Sequence, residues 1–257
     1  MLERSDDAKE KVGLLARVLR QTVRWVSWLG LHPLRAAVGA VVIFLAAEYL
    51  LLPSERLKTL ATSNPRRTAL MEQREREAVG SGKAYRIQQT WVALSRISPD
   101  LIHAVIVSED GTFYEHGGVD WYEVEESIEK NIEEGKAARG ASTISQQLAK
   151  NLYLSTSKDP LRKLKELVIT LRMERLLSKR RILELYLNVI EWGNGTFGAE
   201  AAARKYFGVS AAALTREQAA ELAAVIPSPL RHQPDVRSSF VERRTSTILE
   251  RMNARGF

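Results

Sequence analysis

The run Ser108-Glu-Asp-Gly-Thr-Phe-Tyr-Glu-His-Gly-Gly-Val-Asp120 ends an apolar stretch on a carboxylate and then turns through glycines. A glutamate in that setting can be partly desolvated, which makes it a stronger base. The chemistry open to Glu109 is removal of a proton. A helix-terminal glutamate that simply meets solvent has the same local sequence, so this block does not decide the matter by itself.

Two further blocks carry complementary chemistry. Arg139-Gly-Ala-Ser-Thr-Ile-Ser-Gln-Gln-Leu-Ala-Lys-Asn151 has five hydroxyl or amide side chains in positions 142 to 147, followed by Lys150. Such a stretch can offer side-chain and helix-N-terminal donors to a phosphate, or it can be a polar capping turn. In KDPLRKLKE, Lys158 to Glu166, the residues Arg162 and Lys163 lie four and three positions before Glu166. On a helix they can hold its charge, either as a site or as an ordinary surface ion pair. Leu164, Leu167, Val168 and Leu171 are expected to form the buried stripe of that helix.

Other matches fail on context. Gly193-Asn-Gly-Thr-Phe-Gly198 fits GxGxxG, but the helical LELYLNVIEW precedes it where a dinucleotide fold needs a strand. Ser155-Thr-Ser-Lys158 fits SxxK without a KTG partner, and His103 and His116 lack an HExxH setting. With no cysteine in 257 residues, thiol nucleophiles, thiolate zinc sites and disulfides are excluded. The net charge of +7 favours anionic partners, and it is unevenly spread. Glu109 to Glu134 holds ten acidic residues against Lys130, and Arg139 to Arg181 holds eleven basic residues against three acidic ones. Nucleic acid is disfavoured because only Tyr153 and Tyr186 lie near the basic stretch to stack bases.

The elements that must position these residues are mainly helical. Ser98-Pro99 starts a helix over DLIHAVIVSED, and further helices are predicted over 161–177, 182–189, 198–206, 215–225 and 240–252. Ahead of them, Ala36 to Leu52 is a 17-residue apolar run broken by Glu48. As a helix it rises about 26 Å, slightly short of a ~30 Å hydrocarbon layer, with Arg35 placed to snorkel. Residues 14 to 29 set Leu15, Val18, Leu19, Val23, Val26 and Leu29 opposite Arg17, Arg20 and Arg24, the pattern of a surface-lying amphipathic helix. The expected organisation is a basic amphipathic cytoplasmic segment over 1–35, a transmembrane anchor over 36–52, a polar stalk over 53–86 and a globular domain over 87–257.

In their order and spacing the blocks resemble the peptidoglycan glycosyltransferases, glycosyltransferase family 51. The resemblance runs from about Ile87 to Arg237. It comprises EDxxFxxHxG at Glu109 to Gly118, GxSTIxQQxxKN at Gly140 to Asn151 and RKxxE at Arg162 to Glu166. KxxILExYLN at Lys179 to Asn188 and GxExAAxxYFG at Gly198 to Gly208 complete it. One such domain behind an apolar anchor, with no penicillin-binding domain, is similar to the monofunctional members of the family.

The resemblance implies a mainly α, lysozyme-like glycosyltransferase domain behind a single transmembrane helix in the bacterial inner membrane, facing the periplasm. It implies polymerisation of lipid II by inverting β-1,4 transfer, with Glu109 as general base and Glu166 assisting at the donor phosphate. Lys150, Lys158, Arg162 and Lys163 would then face a pyrophosphate. Ser142, Gln146, Gln147 and Asn151 would orient it and the sugar, while Asp110, Phe113 and His116 would shape the loop. The implied partners are lipid II, lipid-linked glycan, the membrane and other cell-wall synthesis proteins. Mg²⁺ or another divalent cation is the cofactor to test, and no organic cofactor is implied. Two positions depart from the family pattern: Lys158 keeps a charge without arginine's planar fork, and Glu126 stands where many members are basic. The competing readings are a glycan-cleaving enzyme on a related fold and a non-catalytic cell-wall scaffold.

Overall fold

The computed structural model describes residues 33–51, 54–133, 142–154 and 160–257. The chain divides into two units, residues 1–51 and 52–257. The first contains helix α1 (Pro33–Leu51), whose 19 residues rise about 28 Å. Val38, Val41, Val42 and Ile43 on it are exposed. Among the described residues, no helix is long and apolar enough to cross a membrane. The amphipathic segment 14–29 and Leu52 lie outside the described residues.

The second unit is mainly helical. It contains α2 (Ser54–Thr59), α3 (Ala69–Gly80), β1 (Gln88–Gln89), a 3-10 turn (Leu94–Arg96), α4 (Pro99–Glu109), α5 (Trp121–Glu133), α6 (Ile144–Tyr153) and α7 (Pro160–Leu176). There follow α8 (Lys179–Val189), β2 (Glu191–Gly193), β3 (Thr196–Phe197), α9 (Ala199–Phe207), a second 3-10 turn (Ala211–Ala213), α10 (Arg216–Val225) and α11 (Ser239–Ala254). Helix starts follow the sequence: Pro99 occupies the first turn of α4, Ser178 caps α8, and Thr215 with Gln218 forms a capping box on α10.

Two helices carry the site, and the core is built around them. Helix α4 presents Leu101, Ala104 and Val105, all inaccessible to solvent, and packs against α10 and α11. Helix α6 presents Ile144, Leu148 and Ala149 and packs between α7 and α8. Each Leu or Ile so buried stabilises the fold by about 1.5–3 kcal/mol. These contacts fix Glu109 at the end of one rigid helix and Gln147 on another.

Two features differ from the sequence expectation, and a third agrees with its rejection of a nucleotide loop. Segment 53–86, read as a stalk, packs onto the domain over its helical part: Leu57 and Leu60 join the main core, and Leu70 and Met71 pack against Phe197. Arg74 on α3 also donates to Glu191 on β2 at 2.9 Å. These few apolar residues are scattered among charges, so no periodic signal announces them. On α7 the inward face carries Glu166, Val168, Ile169, Thr170 and Met173, so Val168 is buried as expected, while Leu171 is exposed and Leu164 and Leu167 are half-buried. The predicted stripe is met only at Val168, because the inward face takes in the Glu166 carboxylate while its partner Lys163 stays exposed. Finally, Gly193 to Gly198 closes a β2–β3 hairpin in a small sheet of order β1-β3-β2, which explains its glycines without a nucleotide. Gly198 has φ +82°, and a Cβ there would stand 2.6 Å from the Asn188 carbonyl oxygen.

Candidate active site

Glu109 is the last residue of α4, so its carboxylate sits at the negative end of the helix dipole. Only 9 % of its side chain is exposed. Gln147 Nε2 donates to Glu109 Oε2 at 2.9 Å, and the Ser108 hydroxyl donates to Oε1 at 3.2 Å. Arg244 on α11 stands 3.7 Å from Oε1. Burial pushes the Glu109 carboxyl above its ordinary range, outweighing the Gln147 hydrogen bond and the charges of Arg244 and Lys150, which oppose it. The result is a carboxylate poised to accept a proton.

The turn before α6 is held by the loop that follows Glu109. Thr143 accepts from Gln146 N at 3.2 Å, and Gln146 Oε1 accepts from Thr143 N at 3.1 Å, a reciprocal cap. Asp110 Oδ2 accepts from Ile144 N at 2.9 Å. The first donors of α6 are therefore engaged within the protein, which is the capping turn of the two readings the sequence leaves open. Gln146 is buried in this cap.

Asp110, Phe113 and His116 build the loop itself. His116 Nδ1 accepts from Gly118 N, which assigns the ring proton to Nε2, where it is donated to Asp110 Oδ1 at 2.8 Å. Phe113 is buried, with the Lys179 ammonium 4.5 Å from its ring centroid. Thr143 Oγ1 donates to the Gly118 carbonyl at 2.7 Å, tying loop to turn. Gly118 has φ +99°, and a Cβ would lie 2.8 Å from both Glu174 Cγ and Thr170 Cγ2. Gly118→Ala is expected to cost about 1–3 kcal/mol, seen as a lower melting temperature. An unchanged melt would remove this loop from the account.

The cationic side of the site is assembled from α6 and α7. Glu166, 3 % exposed, accepts from Arg162 at 2.9 Å through Oε2 and from Lys163 through Oε1. Lys163 also reaches the Ser142 hydroxyl at 3.4 Å. Burial pulls the Lys150 ammonium down from its ordinary value; Glu166 opposes this most, Arg162 and Lys163 reinforce it, and Glu109 opposes it weakly. Lys150 thus feels both carboxylates and both neighbouring cations. Asn151 is buried on the same helix. Lys158 lies outside the described residues.

A divalent cation does not fit the described residues around Glu166, because each of its oxygens already receives a cationic donor. Among the described residues, the ligand atoms close enough to hold a metal are those of Asp110, His116 and Asp120. Their atoms are already engaged: Asp110 by His116 and Ile144, His116 by Asp110 and Gly118, and Asp120 by Thr112 and Glu123 N. The cluster is a structural knot of the loop, and no step below is routed through a metal.

Five further residues contribute that the sequence does not single out for the site: Tyr186, Ser108, Arg244, Arg251 and Arg255. Tyr186, weighed in the sequence only as a base-stacking aromatic and within the family block, donates to Gln147 Oε1 at 2.9 Å. Ser108 and Arg244 are joined at 3.0 Å, across 136 residues of chain. Arg244, Arg251 and Arg255, together with Glu109, Ser108 and Ser142, line a cavity of about 560 Å³. The three arginines donate to the Ala224, Val107 and Gly111 carbonyls respectively, which holds their guanidiniums in place. A regular i, i+7, i+11 spacing on α11 is the one signal that could have drawn attention to them.

A buried lone base, flanked on one side by a cationic cluster and on the other by a cavity, fits transfer of a group from an anionic leaving group to a hydroxyl. The Transglycosylase family model matches residues 75–253, and the chain belongs to that family. A biosynthetic peptidoglycan transglycosylase of Nitrosospira multiformis is 48 % identical over 189 residues, covering 74 % of this chain and 82 % of that protein. The protein of the same description from Laribacter hongkongensis is 44 % identical over 191 residues, covering 74 % and 84 %. That of Methylobacillus flagellatus is 58 % identical over 143 residues, covering 56 % and 62 %.

Proposed function

We propose that the protein polymerises lipid II into peptidoglycan glycan strands as a cell-envelope glycosyltransferase. The observation that carries this reading is the pairing of one desolvated carboxylate, Glu109, with the Lys150–Arg162–Lys163 cluster ordered by Glu166. The family and the described activity of its relatives support the same reaction.

In this reading the acceptor 4-hydroxyl approaches Glu109 from the cavity side and gives its proton to the carboxylate. The hydroxyl oxygen forms the new bond to the donor sugar carbon as that carbon's bond to the pyrophosphate oxygen breaks. The bonding pair leaves on polyprenyl pyrophosphate, and the α-linked carbon inverts to β. Such a leaving group is a weak base, so it needs charge neutralisation more than a proton, and Lys150, Arg162 and Lys163 supply that charge. Glu166 holds the two α7 cations in place.

We also infer that α1 anchors the enzyme in the inner membrane with the catalytic domain in the periplasm. Supporting this are its four exposed β-branched residues, its ~28 Å rise and the polyprenyl anchorage of both substrates. α1 falls about one residue short of a typical span, a mismatch that local thinning of the bilayer and snorkelling of Arg35 can absorb.

The test is to incubate the full chain, in vesicles, with lipid II and separately with finished glycan. Polymer from the first, no fragments from the second, and a chain that stays with the vesicles after an alkaline wash are the expected results. Fragments from finished glycan with no polymer would establish the cleaving alternative. Release of the chain by the wash would refute the anchor.

A further inference from the structure

We propose that Tyr186 is a positioning residue that fixes the orientation of the Gln147 amide and so makes Oε1 of Glu109 the oxygen that takes the proton. The inference rests on the reading of Glu109 as general base. The Tyr186 hydroxyl is wholly buried on α8 and donates to Gln147 Oε1 at 2.9 Å. The amide nitrogen on the other side of Gln147 donates to Glu109 Oε2 at 2.9 Å. A side-chain amide has one accepting and one donating end, so a donor fixed at Oε1 leaves only the NH₂ group for Glu109.

The consequence concerns the protonated state. While Glu109 is ionised, its carboxylate alone would keep the NH₂ turned toward it. Once Glu109 has taken a proton, an unrestrained amide could flip, and a carboxylic acid could then donate from Oε2 to the amide oxygen. That arrangement would trap the proton on the oxygen facing away from the cavity. Tyr186 disfavours the flip, because a flipped NH₂ can donate to the phenol oxygen only by leaving the phenol O–H without an acceptor in a fully buried site. Oε2 therefore accepts from Gln147 in both states, and the proton resides on Oε1, beside Ser108 and Arg244 at the cavity.

The groups facing Glu109 are Lys150 from α6, Arg244 from α11 and Tyr186 from α8, with Asp110 next in the chain. Burial, reinforced by the Glu109 and Asp110 charges, pushes the Tyr186 phenol well above its ordinary value. It remains a hydrogen-bond donor throughout the range in which Glu109 titrates.

The experiment is a double-mutant cycle on lipid II polymerisation with Tyr186→Phe and Gln147→Met. Tyr186→Phe is expected to lower kcat about 10-fold with KM little changed. It should also shift the acid limb of the pH profile upward, since the free amide can now stabilise the protonated carboxyl. In the Gln147→Met background the same substitution should cost nothing further, because Tyr186 acts only through the amide. Equal losses in both backgrounds, or an unmoved acid limb, would overturn the proposal and leave Tyr186 as packing. Should Tyr186→Phe fail to fold, the side-chain amide signals of Gln147 in the unsubstituted protein decide by NMR. One orientation through the Glu109 titration supports the proposal, and exchange between two overturns it. Glu109→Gln is run alongside: if it retains polymerisation, the general-base reading itself fails, a result distinct from an additive cycle.

Discussion

Glu109→Gln is expected to lower lipid II polymerisation by about 10²–10⁴-fold while leaving the fold intact, the range that loss of a positioned general base produces. Glutamine keeps the shape and can still meet Gln147 and Ser108, but it cannot accept the acceptor hydroxyl's proton. The same variant should melt higher than wild type at neutral pH. Glu109 has a folded-state pKa raised by burial, so the folded chain holds more protons than the unfolded chain between the two pKa values. Stability falls as pH rises through that window, and the deficit is complete above the folded pKa. Glutamine carries no such deficit, so the gain in melting temperature should vanish below the ordinary carboxylate pKa. Melting curves at neutral and acidic pH, paired with polymerisation rates, check both halves. A scaffold role would leave the biological function of Glu109→Gln intact, and a solvated Glu109 would give no change in melting.

Lys150→Met carries the next largest effect, a loss of about 10²–10³-fold in kcat, comparable to removing one donor from a preorganised anion site. Lys150 is the cation that senses Glu109 and Glu166 together, whereas Arg162 and Lys163 are already paired with Glu166. Removing it takes positive charge away from the departing pyrophosphate and a favourable charge away from Glu109. The acid limb of the rate profile should therefore move upward as the rate falls. Stability should be unchanged or slightly increased, since a desolvated ammonium is replaced by an apolar side chain. Lys150→Arg should recover part of the rate by restoring charge. Kinetics of the two variants on lipid II decide: an unchanged kcat in Lys150→Met would move the donor phosphate elsewhere.

The relation between sequence and site follows from how far each contact reaches along the chain. Glu109, Gln147, Lys150 and the Arg162–Glu166 set belong to local blocks whose residue types state their chemistry, and the helical period places Arg162 and Lys163 on Glu166. The reciprocal cap of Thr143 and Gln146 is equally local, but the sequence leaves it open between a capping turn and an anion-binding turn, because both use the same residues. Arg244 was not legible, since its hydrogen bond to Ser108 joins positions 136 apart that no periodicity relates. The same holds for Leu57 and Leu60, whose burial depends on helices more than a hundred residues away and not on any stripe of their own. The apolar run at 36–51 announces itself by composition alone and is helical throughout.

The claim on which the account turns is that Glu109 alone supplies the base, and the pH dependence of kcat/KM for lipid II tests it most directly. The predicted profile has one acid limb, displaced above the ordinary carboxylate range, which Lys150→Met moves further up. A limb at the ordinary glutamate value, or one that moves with Glu166→Gln but not with Lys150→Met, would contradict it.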